Sequence, residues 1–186
     1  MEKKFDLFRV DIEKNRDLDN SKLFGSPVFP KNYMRRHKLN SDYYFAQINL
    51  SYDSDGVLPT EGMLYFFLHF KGTQVKPIVK YSNEELYEVV DDVNEIFNEL
   101  DFKDALQMVF DHKGKSGFLF SEIDQELPEL LDEDDYIVLL KVDPLNVLAS
   151  DFPIFNNPDD EIYFIMKKED YINRNFKNVK LIFHGS

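Results

Sequence analysis

The sequence predicts an α+β fold: mixed or antiparallel sheets from two pseudo-repeated β-rich halves, with a helical insert at about 82–111. Three observations predict it. Aromatic residues make up 15% of the 186 residues, including 18 phenylalanines and 10 tyrosines, a density of flat side chains suited to sheet faces. Short apolar runs recur between loops that carry proline, glycine or asparagine. One central stretch switches to steps of three and four residues, the period of a helix.

Each element follows from its own letters. FDLFRVDI (5–12) nearly alternates and is expected as a strand. YYFAQINL (43–50) has the continuous apolar character of a buried strand, and MLYFFLHF (63–70) is too apolar on both faces for a solvated edge. VKPIVKY (75–81) carries Pro77, which lacks an N–H to donate and so suggests an edge. Ser82 with Glu85 has the spacing of a capping box. Leu86, Val89, Val90, Val93, Ile96, Phe97 and Leu100 then recur at helical spacing, opposite a carboxylate-rich face. A second helix is expected from about Asp101 to Asp111, stopped by Gly114 and Gly117. GFLFSEI (117–123), YIVLLKVD (136–143), EIYFIMK (161–167) and NVKLIFH (178–184) are expected strands, with one helical turn at KEDYINR.

The decapeptide SKLFGSPVFP (21–30) places Leu23, Phe24, Val28 and Phe29 on loop punctuation. Gly25 permits a positive-φ turn, and Pro27 and Pro30 hold extended backbone. We favour a packed loop that plugs the mouth of the sheet over a loop that grips a ligand through Ser21, Lys22 and Ser26.

A repeat runs through the strands. Gln47-Ile48-Asn49 lies over Lys141-Val142-Asp143, 94 residues on, and Tyr65-Phe66-Phe67 over Tyr163-Phe164-Ile165, 98 residues on. Phe24-Gly25-Ser26 lies over Ser116-Gly117-Phe118, 92 residues on. Ordered anchors with slowly drifting offsets indicate a duplication, with halves at about 5–80 and 115–184 flanking the insert.

SKLFGSPVFP, FAQINL, LPTEGMLYFF and DEIYFIMKKEDYINRNF resemble the YwqG-like proteins, a bacterial domain of unknown function. The family pattern Ser-Lys-x-Gly-Gly-x-Pro-x-x-Pro falls on residues 21–30, Leu-Ala-Gln-Ile-Asn on 45–49, and Leu-Pro-x-x-Gly-x-Leu-x-Phe-Phe on 58–67. The likeness covers about 5–80 well and 130–180 more loosely. The first family glycine is Phe24 here, the family's tryptophan after the prolines is missing, and the central region is short. The resemblance implies a single YwqG-like domain over 1–186 with an α+β fold and a repeat; it implies no activity.

Charge and composition exclude several classes. The formal charge of −13 opposes non-specific binding to nucleic acid and to anionic membranes, and suits a basic protein partner. There is no cysteine, hence no disulfide framework or thiolate chemistry. No apolar run approaches the ~20 residues of a membrane span. A soluble cytoplasmic protein is the expectation.

Catalytic signatures are missing. His37, His69, His112 and His184 have no metal-ligand spacing, so no metal or cofactor is expected, and His69 reads as a core or edge residue. No serine sits in a Gly-x-Ser-x-Gly elbow, and HKGKSG (112–117) is a phosphate-loop fragment only superficially. Candidate binding residues are Ser21, Lys22, Gln47 and Asn49 as polar groups, Arg35 and Arg36 as anion grips in the basic segment Lys31–Lys38, and Asp143 as the counterpart of Asn49. For the basic segment, neutralising the carboxylates of the expected helix is favoured over anion binding. Glu122, Asp124, Glu126, Glu129, Asp132, Glu133, Asp134 and Asp135 form an acidic run, expected as a solvated connector or docking surface. We expect a non-enzymatic interaction protein, in one concrete form an immunity-type protein that binds a basic partner. The alternative is a small-molecule-binding or hydrolytic domain with a pocket between the halves.

Overall fold

A computed structural model describes residues 3–10, 20–53, 55–86, 88–90, 105–123, 135–143 and 160–185. Its elements, in chain order, are β1 (Lys3–Val10), β2 (Lys22–Leu23), β3 (Val28–Phe29), α1 (Tyr33–His37), β4 (Tyr43–Asn49), α2 (Leu50–Asp53), β5 (Met63–Lys71) and β6 (Gln74–Ser82). There follow β7 (Glu88–Val89), β8 (Ala105–Phe110), β9 (Gly117–Glu122), β10 (Tyr136–Val142), β11 (Asp160–Lys167), α3 (Lys168–Ile172), a 3-10 turn (Phe176–Asn178) and β12 (Lys180–Gly185).

The expected α+β class is overturned: the fold is β-rich. Among the described residues no helix exceeds five residues, and the described strand pairings are antiparallel. The helical insert fails wherever it is described. Ser82 ends β6, Val89 pairs with Val28, and Ala105–Phe110 is a strand against β2. The Ser82 hydroxyl does accept the Glu84 N–H at 3.2 Å, as a cap would, yet no helix follows among the described residues: Glu88–Val89 is a strand, and the Val90 N–H donates to Pro27 O at 3.0 Å. Leu86 and Val90 still pack on an apolar cluster. Apolar residues four apart therefore serve a strand-and-loop path as well as a helix, and backbone partners in distant segments decided between them. Residues 91–104, the middle of the expected insert, lie outside the described residues.

The chain divides into two compact units. The amino-terminal unit holds Leu7–Ser54 and Pro59–Met108; the carboxy-terminal unit holds Val109–Ser186 with Met1–Asp6 and Asp55–Leu58.

In the amino-terminal unit the strand order is β8-β2-β4-β5-β6. Residues 63–68 of β5 are buried throughout, as expected of a central strand, and Pro77 sits on the outermost strand β6. Phe29 is fully buried in an aromatic cluster: it stacks on Tyr33 at 5.2 Å and lies 5.0 Å from the Tyr65 ring. The decapeptide is packed as expected, with Leu23, Phe24, Val28 and Phe29 all at or near zero exposure, but it is not a plug at the mouth of the sheet: Lys22–Leu23 is β2, within the sheet between β8 and β4, and Val28–Phe29 is β3, paired with β7. Gly25 has φ +66, and a Cβ there would lie 2.7 Å from the Ala105 Cβ. Phe24, where the family pattern carries glycine, has φ +53.

In the carboxy-terminal unit β9, β10, β11 and β12 pair in sequence, and residues 3–5 of β1 pair with β9. Tyr136, Val138, Tyr163 and Ile165 form one apolar cluster in it.

The registers of the two units correspond residue by residue. Gln47 faces Tyr65, and Lys141 faces Tyr163. Tyr44 faces Phe67 and Ala46 faces Phe66, with an irregularity at Phe45; Val138 faces Ile165 and Leu140 faces Phe164, with the same irregularity at Leu139. On the other side, Lys22 and Leu23 face Gln47 and Ala46, as Phe118 and Leu119 face Lys141 and Leu140. The upstream anchor is therefore shifted from the expected alignment: Phe24 corresponds to Phe120, 96 residues on, and Phe120 has φ +51.

Candidate functional site

Most of the polar residues expected to bind a ligand hold backbone instead. Gln47 is fully buried; its Oε1 accepts the Val28 N–H at 3.0 Å and the Tyr44 hydroxyl at 3.4 Å, and its Nε2 donates to Asn20 O at 2.9 Å. The Ser21 hydroxyl accepts the Asn49 N–H at 2.9 Å. Asn49 Oδ1 accepts the Ser51 N–H at 2.9 Å, the local turn a strand-end asparagine makes. Lys22 is buried opposite Gln47 and Gln107. These four belong to the amino-terminal unit; Asp143 belongs to the other, and its N–H donates to Ser116 O at 2.9 Å.

A recess of about 310 Å³ opens where β4 ends and β5 begins. Asn49 and Ser51 line one side, Glu61, Glu84 and Glu85 bring carboxylates, and Met63 and Leu86 bring apolar surface. Local chemistry builds it. The Leu50 N–H donates to Gly62 O at 2.9 Å and closes the connection. Gly62 has φ +90, and a Cβ there would lie 2.5 Å from Ser82 O, so the close approach of this turn to β6 needs glycine. The Tyr81 hydroxyl donates to Glu61 O at 3.3 Å, and the Ser82 hydroxyl orients the turn that carries Glu84.

The basic segment touches this recess at one point. Arg36 meets Glu84 through two parallel contacts, 3.0 and 2.9 Å, both side chains about half exposed. The expectation that the segment neutralises local carboxylates has a specific partner in that pair, although the carboxylate stands in a turn rather than on a helix. Arg35 is exposed. Arg36 also lies 6.0 Å over the Tyr33 ring, and His37 packs on the same ring at 4.4 Å. The Tyr33 hydroxyl is buried without a hydrogen-bond partner among the described residues. Burial, with Glu84 nearby, pushes its pKa far up. Burial, Lys80 and Arg36 hold His37 below the ordinary histidine value. His69, on the interior strand β5, pairs with the buried Asp42 at 2.6 Å.

Among the described residues no three His, Asp or Glu side chains are grouped to hold a metal ion, and no helix is long and apolar enough to cross a membrane. Of the acidic run, Glu122 and Asp135 are described; Glu122 pairs with Lys168 at 3.2 Å. Residues 124–134 lie outside the described residues. Sequence reasoning missed the recess because Glu84 and Glu85 were assigned to a helix, and nothing in the spacing joins them to Glu61. Compared with models of known families and with curated proteins, the chain matches none.

Proposed function

We propose that this chain is a non-enzymatic, cytoplasmic binding protein of the YwqG-like kind, whose acidic recess receives a lysine or arginine side chain of a basic protein partner, as an immunity-type protein would. The observation that carries this reading is the convergence of Glu61, Glu84 and Glu85 on one recess with apolar surface from Met63 and Leu86, in a chain of net charge −13. Carboxylates over apolar surface suit a side chain with an aliphatic stem and a cationic head. The paired contacts between Arg36 and Glu84 support it, since they demonstrate that this carboxylate accepts a guanidinium fork. The hydrogen bonds of Ser21, Gln47 and Asn49 to backbone weigh against a ligand-gripping or hydrolytic site built on those residues.

Capture from a lysate of the native host, with wild type and the Glu61→Gln/Glu85→Gln double variant side by side, tests this. A basic protein should be retained by wild type, released by raising the salt, and held at least about tenfold more weakly by the double variant. Capture of no basic protein, or equal capture by both forms, would refute the assignment.

A further inference from the structure

The carboxy-terminal unit carries a second cavity of opposite sign. Its volume is about 360 Å³, and it is lined by Lys4, Gly114, Lys115, Gly117, Phe118, Ser121 and Lys141. Three of those seven residues are lysines and none is a carboxylate, in a chain with 35 acidic and 22 basic residues. We propose that this cleft is a binding site for a small phosphate-class anion, independent of the acidic recess.

The lysines come from three separate elements, and the turn between β8 and β9 gathers them. Asp111 N–H donates to Lys4 O at 3.1 Å, and Ser116 N–H to Phe5 O at 3.0 Å, so the turn folds along β1. Asp111 Oδ1 accepts the Lys113 N–H at 2.9 Å, and Gly114 N–H returns to Asp111 O at 3.0 Å. A Cβ on Gly114 would lie 2.5 Å from Phe5 backbone, and one on Gly117 2.1 Å from Lys141 O. The glycines of HKGKSG thus serve the close approach of this turn to β1 and β10. That approach sets Lys115 and Lys4 in the lining with Lys141.

The lysines are held differently. Lys141 is fixed: its ammonium pairs with Glu161 at 2.5 Å and lies 5.6 Å over Phe118 and 5.3 Å over Tyr163. Glu161 also accepts the Tyr163 hydroxyl. Lys115 is exposed, and its ammonium has no ion-pair partner among the described residues; Asp6 Oδ1 takes its backbone N–H, at 2.8 Å. Lys4 is exposed. Ammonium groups are compact point charges that bind phosphate without a fixed plane. Lysines from three different elements line this cleft without a carboxylate in the lining, a local excess of positive charge that suits a multiply charged oxyanion better than a singly charged carboxylate. The volume falls in the ~300–1,000 Å³ range of small-molecule sites.

Inorganic phosphate and pyrophosphate, titrated into the full chain and followed by calorimetry and amide chemical shifts, test the assignment. Pyrophosphate should saturate at one per chain below about 10 mM, bind tighter than phosphate, and shift the amides of Gly114, Lys115, Gly117 and Phe118. Lys115→Glu should weaken it at least about tenfold, and Lys177→Glu, the same charge change outside the cleft, less than about twofold. Failure to saturate, shifts centred elsewhere, or equal losses in the two variants would overturn the proposal. Wild-type shifts decide the matter even if Lys115→Glu does not fold.

Discussion

Gln47 and Lys141 occupy the same place in the two units. Each stands beside a strand irregularity and faces a tyrosine, Tyr65 or Tyr163. Gln47 is sealed: its side chain bonds to the Val28 N–H, the Asn20 carbonyl and the Tyr44 hydroxyl, all in its own unit. Lys141 retains about a fifth of its side-chain exposure and lines a cavity. The residue across the strand changes in step: Lys22, buried, faces Gln47, whereas Phe118 faces Lys141. One backbone frame thus tolerates a closed, fully packed interior and an open cationic cleft. The frame sets where a side chain emerges, and side-chain identity sets whether that position is structure or site.

The largest effect should separate the two positive-φ phenylalanines. Phe24 is fully buried, with Phe45 edge-on at 5.3 Å. Phe120 is 4% exposed and borders an open groove with Tyr171. Phe24→Ala should cost about 3–5 kcal/mol in urea denaturation, and Phe120→Ala measurably less; equal costs would break the contrast between closed and open units.

Next comes the matched pair itself. Gln47→Leu strands the Val28 N–H and Asn20 O, each worth about 1–3 kcal/mol when buried, so a loss of about 2–4 kcal/mol is expected. Lys141→Met removes a partly exposed ion pair worth about 1 kcal/mol or less. Chemical denaturation of the two variants measures the difference.

Two tyrosines sharpen the comparison further. The Tyr171 hydroxyl donates to the Asp55 carboxylate; burial, together with that bond, raises its pKa far above the usual phenol. Tyr171→Phe should cost about 1.5–3 kcal/mol, the range for hydrogen bonds to charged groups. Tyr33→Phe deletes a buried hydroxyl that has no partner among the described residues, so thermal melting should show no loss, or a gain of about 1 kcal/mol.

The smallest effect is electrostatic. Folding lowers the His37 pKa from its unfolded value of about 6.5. Well above pH 6.5 the ring is neutral in both states and contributes no pH dependence. As pH falls from 6.5 through the folded pKa, the unfolded state takes up protons first, so stability drops across that window. His37→Asn should flatten this part of the stability profile, and NMR titration of the ring should place its midpoint below 6.5.

Much of the fold was legible because strand signals are local. Runs such as YYFAQINL and YIVLLKVD are apolar enough to be strands wherever they pack, and Pro77 announced its edge through a missing N–H. The helix over 82–111 was misread because Leu86 and Val90 satisfy helical spacing and a strand-and-loop path equally, and Ala105–Phe110 became a strand through hydrogen bonds to a segment some eighty residues earlier. The repeat was visible in its strand cores but shifted upstream, where Phe24 aligns with Phe120 through a shared backbone angle rather than through neighbouring letters. Of the expected site residues, Asn49 alone lines the acidic recess. Ser21 and Gln47 are expected as ligand-binding groups, yet their hydrogen bonds go to backbone, because a letter does not reveal whether a polar side chain will end on backbone or on a ligand.

Composition and order alone determined the strand cores, the burial of the decapeptide's apolar residues and the net negative charge, because each depends on burial or charge summed over neighbouring residues. The tertiary structure decided which carboxylates share a recess with Asn49 and which lysines share a cleft. Lys4, Lys115 and Lys141 are brought together by turns and strand registers, and the energy that holds them there resides in backbone contacts that no spacing of lysines encodes.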